Sequence, residues 1–551
     1  MIQTVDITIS AFYIAAIFII GLWAGRGHGK RNQHKNKAAQ EYFLAGKSLR
    51  WPMIGLALFA TNISCVHLVS LAQSGFDTGL LNGDFEWMAA FTLVLLALFF
   101  VPFYLKSKVT TLPDFLEKRY DQASRDWLAI VSVASAIIVH IAFSLLAGGI
   151  VLETLFGINL YASVICIAII TSIYTITGGL KAVVITESIQ TIVLISGAII
   201  MSIVCYHKMG GWEPMVNVLK QHNELTKLSM MRPKADASGM PWYAVFLGYP
   251  VLGIWYWCAD QTIVQRVLGA KDENNARVGA LFCGFIKILP VFIFVMPGLF
   301  AYTLAQSGKL DLSSITTFHA GKALVNSKGI YTLMITQLIP KGLIGVLVAA
   351  LLSGLMSQIS GALNSISTLV SYDIYKRRKP DAEDDALIKI GKIAAGLSLI
   401  LSIAMLPLLN HYESIFTGLN DIIAHIAPPI TCVFILGIFW KGASAKSAKL
   451  TLWIGSAVGV GVFFIGKFLP DSAIGHIPFM MMAFYLFCFC AFIQVLFSYI
   501  YPVPASEVTS ALTWASPFEP LKSPGWSGIG NYKLLSLVLL VITVALFWVF
   551  R

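Results

Sequence analysis

The sequence predicts an all-α polytopic membrane protein of about fourteen transmembrane helices, ten of them in two inverted five-helix units that each open on an interrupted helix. Three observations lead there. Of the 551 residues, 57% are hydrophobic and 12% charged, and apolar runs of about 20 residues, enough to cross a bilayer core, recur along the chain. Two ionisable residues lie inside such runs, Lys287 in FCGFIKILPVFIFVMPGLF and Glu86 at the head of FEWMAAFTLVLLALFFVPF. A charge at that depth is costly and is normally set against a partner, a cavity or a pathway. Finally, two spans carrying helix-disrupting residues lie five spans apart. The runs have neither the alternation nor the roughly ten-residue length of barrel strands, so helices must satisfy the backbone.

Taken in order, the span at 6–25 lacks the basic lead and small-residue cleavage site of a signal peptide and is kept as a helix. With the basic loop to residue 49 it precedes the first unit, 50–206, which holds spans 50–77, 86–104, 128–153, 160–176 and 183–206. The second unit, 242–440, holds 242–268, 278–306, 342–372, 389–408 and 415–440. Spans 449–467, 477–500 and 534–550 form a peripheral C-terminal group within 449–551. Because each unit has an odd number of spans, the second enters the membrane from the opposite side to the first.

Lys and Arg crowd the loops on one side, among them Arg26, Lys30, Arg31, Lys106, Lys108, Arg119, Lys271, Arg277, Arg377 and Arg378. That excess marks the cytoplasmic face. Both termini are then extracellular or periplasmic, in a plasma (inner) membrane. The net charge of +11 follows this bias and gives no nucleic-acid footprint; YKRRKP at 375–380 reads as a stop-transfer and lipid-headgroup feature. Seven of the eight cysteines lie within apolar spans and Cys205 at the end of one, so they read as packing residues rather than a disulfide framework or metal site. The stretches 207–241, 307–341 and 501–533 are too short to bury a core. No nucleophile with its base and no metal-ligand cluster is legible, which argues against an enzyme.

The two interruptions differ in chemistry. In LALFATNISCVHLVSLAQSG, the polar side chains of Thr61, Asn62, Ser64 and His67 compete for backbone hydrogen bonds. In FLGYPVLGIWYWCADQ, Pro250 removes a helical bond between Gly248 and Gly253, ahead of Tyr256, Trp257 and Asp260. Unwound backbone at membrane depth is tolerated where it is buried or lines a cavity, and broken helices in matching positions of inverted units are the pattern of secondary transporters with midplane sites. On residue chemistry alone, Lys287 and Glu86 are either functional or a mutually satisfied pair, and His67 either a ligand or a polar residue between helices.

Several runs carry a resemblance: EYFLAGKSLRWPMIGLALFATNIS, FEWMAA, TLPDFLEKRY, YTITGGLKAVV, WYWCADQTIVQRVLGAK, GFIKILPVFIFVMPG, LNSISTLVSYDIYK and APPITCVFILGIFWK, in order from about 41 to 445. Together they resemble the sodium/solute symporter family, in particular its sodium/glucose cotransporter branch. The resemblance implies a leucine-transporter-type core and a sugar site on Asn62, His67, Glu86, Tyr256, Trp257, Lys287 and Asn420. Such a mixture suits a sugar, whose hydroxyls donate and accept while its C–H faces lie against aromatic rings. Tyr256 is implied as the inner gate and Phe85, Phe416 and Leu71 as the outer lid.

For the ion, the resemblance implies Na+ as a co-transported species and no cofactor. Its oxygen ligands fall on the backbone of Ala60, Ile63 and Gly354 and on two consecutive side chains, Ser357 and Gln358. The family has a second serine at the last position; a Gln oxygen can replace it only if the NH2 points away. Glu187, in place of a family Asp, falls on the ion's exit route, with a plain helix-start carboxylate as the other reading. Asn420 is one methylene shorter than the Gln of the branch's glucose transporters. The expected function is sodium-coupled symport of a glucose- or galactose-like hexose, by alternating access in the lipid bilayer. A sodium-independent or proton-coupled carrier of a sugar or polyol such as myo-inositol stays open, as does a sugar sensor that does not transport.

Overall fold

The computed structural model describes residues 3–25, 38–234, 236, 238, 240–319, 322–410, 415–502 and 507–551; the predicted basic residues at 26–37 lie outside them. Helices dominate, accompanied by an antiparallel hairpin that pairs Thr316–His319 with Lys322–Val325. Eleven helices among the described residues are long and apolar enough to cross a bilayer, against the fourteen or so predicted. The difference has local causes. Predicted span 50–77 divides into Trp51–Asn62 and Cys65–Thr78. Span 242–268 divides into Trp242–Ile254, a π-helical turn at Trp255–Ala259 and Gln261–Leu268. Spans 160–176 and 183–206 instead join in one 50-residue run, Leu160–Met209, interrupted at Gly179 with φ 60° and ψ −164°. A straight helix of that length would reach about 75 Å, more than twice the hydrocarbon thickness. Only glycine suits this turn, since a Cβ would come within 2.5 Å of the Tyr42 carbonyl oxygen.

At the centre stands Ile344–Leu369, with every residue from Leu347 to Leu369 buried. A helix covered on all sides belongs to the middle of a large bundle. It packs on Leu160–Met209, Thr4–Gly25 and the first interrupted helix. The later helices Ala445–Phe468, Phe479–Ile500 and Tyr532–Val549 leave Trp453, Phe464, Phe492, Leu537 and Trp548 exposed, an apolar exterior suited to lipid.

Three sequence readings are corrected. Arg119 and Arg277, counted as loop charges, are buried: Arg119 donates to the carbonyls of Gly437, Trp440 and Ala443 at 2.6, 3.0 and 3.2 Å, and Arg277 lies over the Tyr532 ring while pairing with Glu273. Cys166 and Cys488 are exposed rather than packed inside, whereas the other six cysteines are buried. The helix Trp242–Ile254 continues through Pro250, and the interruption comes later, at Asp260 with φ −89° and ψ 122°.

Candidate functional site

The first interruption is two residues long. Ile63 (φ −82°, ψ 103°) ends one helix and Ser64 (φ −103°, ψ 178°) caps the next, both extended. Ser64 Oγ accepts from the Val66 amide at 3.2 Å, while the Ser64 amide donates to His67 Nδ1 at 3.3 Å. His67 thus fills the place that Glu or Gln takes in a capping box, and the bond leaves its ring proton on Nε2. In an unbroken helix the Ser64 amide would meet the Ala60 carbonyl, and the His67 amide the Ile63 carbonyl. Here the His67 amide turns to the Ser64 carbonyl at 3.0 Å. The carbonyls of Ala60 and Ile63 lose their helical donors, and that of Ala60 instead accepts from Ser357 Oγ at 2.9 Å.

The second interruption is capped by Asp260, whose Oδ1 accepts from the Thr262 amide at 2.7 Å. The Cys258 carbonyl thereby loses its helical donor and is taken by the Tyr104 hydroxyl at 2.6 Å. Asp260 Oδ2 faces His140 Nε2 at 2.7 Å.

Between the breaks lies a cavity of about 760 Å3, open mouth included. Asn62, His67, Glu86, Tyr256, Trp257, Lys287 and Asn420 all line it, with Phe85, His140 and Gln358. Lys287 Nζ donates to Asn62 Oδ1 at 2.6 Å and pairs with Glu86, both partners of the ion pair being 2% exposed. Its third N–H remains for another acceptor. The ammonium is 5.7 Å from the Trp257 ring centroid, within cation–π range. Phe85 stacks on Phe479 and meets Tyr249 edge-on.

Next to the cavity, Ser357 Oγ also donates to the Gly354 carbonyl at 3.1 Å. Gly354 lets the central helix touch the break: a Cβ there would lie 3.0 Å from the Cys65 nitrogen and the Ser64 carbonyl carbon. Ala60, Ile63, Gly354 and Ser357 therefore gather around one stretch of freed backbone, with Gln358 next along the central helix. Gln358 Nε2 meets His140 Nδ1 at 2.6 Å. Glu187 lies mid-helix and wholly buried, so the helix-start reading fails; its carboxylate pairs with Arg266 at 2.5 and 3.3 Å and accepts from Thr61 Oγ1 at 3.1 Å.

Two predicted lid residues fall outside this group. Leu71 is buried but is not part of the cavity wall, and the Phe416 side chain lies outside the described residues. The sequence reading passed over His140 and Arg266, and named Asp260 in the second interruption without giving it a role. His140 and Arg266 were open to the logic that singled out Lys287, since both are lone ionisable residues in apolar surroundings.

Comparison with known proteins shows the family and the fold. The sodium:solute symporter family model matches residues 42–455. A Vibrio parahaemolyticus sodium/glucose cotransporter is 33% identical over 496 residues, covering 88% of each chain. A Bos taurus sodium/mannose cotransporter is 32% identical over 536 residues, covering 93% of this chain and 89% of its own. The fold is shared with a Na+-coupled sialic acid symporter in its outward-open state, at a TM-score of 0.76 and 23% identity over 92% of this chain and 99% of that one.

Proposed function

The chain belongs to the sodium:solute symporter family, and within it we propose a symporter that carries a glucose- or galactose-like hexose with Na+ by alternating access. Membership makes the protein a multi-pass membrane transporter rather than an enzyme, with Na+ as cargo and not a resident cofactor. The observation that carries the sugar reading is the cluster of Lys287, Glu86 and Asn62, buried in a cavity between two helix interruptions. The glucose and mannose named for the relatives support a hexose.

Each group has work in this reading. The spare Lys287 N–H and the His67 Nε2–H donate to sugar oxygens, while Glu86, Asn62 and Asn420 accept from hydroxyls. Trp257 and Tyr256 offer faces for C–H groups. Na+, a hard cation suited to oxygen, sits on the carbonyls of Ala60, Ile63 and Gly354, the Ser357 hydroxyl and Gln358 Oε1. Ser357 Oγ, now a donor to Ala60, rotates to present a lone pair. Phe85, with Leu71 and Phe416, closes the outer side and Tyr256 the inner; Glu187 with Arg266 guards the ion's exit. The units 50–206 and 242–440 move against each other in a plasma membrane, both termini outside. The shorter reach of Asn420 favours one second reading, a polyol such as myo-inositol bridged by water.

The test is uptake of labelled glucose, galactose and myo-inositol into proteoliposomes under an inward Na+ gradient, against K+ and an inward proton gradient. Hexose accumulation only with Na+ is expected. Equal equilibration in K+ refutes coupling, and accumulation of myo-inositol alone favours the polyol.

A further inference from the structure

Gln358 has one amide end too many. Its side chain is 4% exposed, its Nε2 meets His140 Nδ1 at 2.6 Å, and its Oε1 is buried with no hydrogen-bond partner. A buried, unmet carbonyl oxygen carries a desolvation cost that a native site normally cancels. It lies one residue from Ser357, whose hydroxyl touches the freed Ala60 carbonyl.

The polarity of this amide is dictated by Asp260, on the far side of the His140 ring and 2.7 Å from its Nε2. Asp260 Oδ2 is an acceptor facing His140 Nε2, so in the neutral ring the proton resides on Nε2 and Nδ1 carries the lone pair. That lone pair draws the Gln358 NH2 and turns Oε1 the other way. Reverse the histidine tautomer, and the amide turns over with it.

We propose that Asp260 and His140 are positioning residues which hold the Gln358 amide with its NH2 withdrawn and its carbonyl oxygen presented to Na+. The inference rests on the sodium site of the previous subsection and explains how a Gln works where the family places a serine. It also ties the two helix interruptions together, since the cap of the second sets a ligand beside the first. Neither residue touches the ion; both act through Gln358.

Asp260→Asn separates this role from a structural one. The Asn carbonyl still accepts from the Thr262 amide and keeps the cap, but its NH2 now faces His140 Nε2. The ring must then carry its proton on Nδ1, which requires Gln358 Oε1 as acceptor and turns the NH2 toward the ion. Binding of radiolabelled Na+ to the purified protein, without sugar, is measured for the native chain, Asp260→Asn, Gln358→Ser and the double variant. The expected result is a Kd raised about tenfold or more by Asp260→Asn, the size of one lost charge-directed contact. In the Gln358→Ser background, where a hydroxyl replaces the amide, the same substitution should change Kd by less than about twofold. His140→Leu should behave like Asp260→Asn in both backgrounds, and His140→Gln, which keeps a donor and an acceptor, should recover part of the affinity. An unchanged Kd in Asp260→Asn and His140→Leu overturns the inference alone, as does an equal loss in the Gln358→Ser background. A native chain that binds no Na+ overturns the sodium reading itself.

Discussion

Lys287→Met tests whether the buried ion pair serves the substrate or only the fold. Both charges of the pair are 2% exposed, so removing the ammonium strands the Glu86 carboxylate and takes the donor from Asn62 Oδ1, 2.6 Å away. Breaking a buried pair from one side costs about 3–5 kcal/mol, enough to lower the melting midpoint of the purified protein clearly. Neutralising the other side as well, in Lys287→Met with Glu86→Gln, removes the stranded charge; replacing both members of a buried pair is often neutral for stability. The double variant is therefore expected to regain most of the stability while taking up sugar with much weakened affinity. It lacks the charged donor that the sugar reading assigns to a hydroxyl, a contact worth about 1.5–3 kcal/mol, or roughly 10- to 150-fold in apparent affinity. The assay pairs thermal melting with sugar uptake at several concentrations in proteoliposomes. Uptake by the double variant with native affinity would refute the reasoning and leave Lys287 and Glu86 as structural charges.

Gly354→Ala is expected to weaken Na+ binding and to cost about 1–3 kcal/mol of stability, because its Cβ would press at 3.0 Å on the backbone of Ser64 and Cys65; an unchanged sodium titration would detach Gly354 from the ion site. Glu187→Gln should lower the melting midpoint through a loss of about 3 kcal/mol, since both it and Arg266 are fully buried. A native melting profile would mean that the charge of Glu187 is not what holds Arg266.

What the sequence revealed follows from what burial costs. Lys287 and Glu86 were legible because a charge inside an apolar run has few explanations, and the first interruption because Thr61, Asn62 and Ser64 break the apolar pattern with groups that cap backbone. The second interruption was legible as an event but misplaced. Pro250 removes one amide, a loss that the helix absorbs, whereas Asp260 offers the Thr262 amide a competing acceptor and ends the helical path. The Glu187 and Gln358 contacts were not legible at all. Their partners, Arg266 and His140, lie 79 and 218 residues away, and no periodicity within one helix encodes a meeting between helices. The turn at Gly179 inside the run Leu160–Met209, by contrast, falls in the gap left between the predicted spans 160–176 and 183–206.

The proposed ion and sugar sites share one piece of backbone, and that sharing supplies a physical route for coupling. Ala60 and Ile63 offer carbonyls while Asn62, between them, offers its side chain to Lys287. A cation bound to those carbonyls holds Ile63 and Ser64 in their extended conformation against re-forming a helix. The same hold fixes the direction of Asn62, and through it the third N–H of Lys287. In the proposed cycle, release of the cation would free those carbonyls for the Ser64 and His67 amides, the change that would take His67 from its cap. In the proposed function, ion binding and sugar binding would thus select the same backbone state, as a shift of population between conformations requires. Because such coupling is reciprocal, whatever factor Na+ adds to sugar affinity is returned by sugar to Na+.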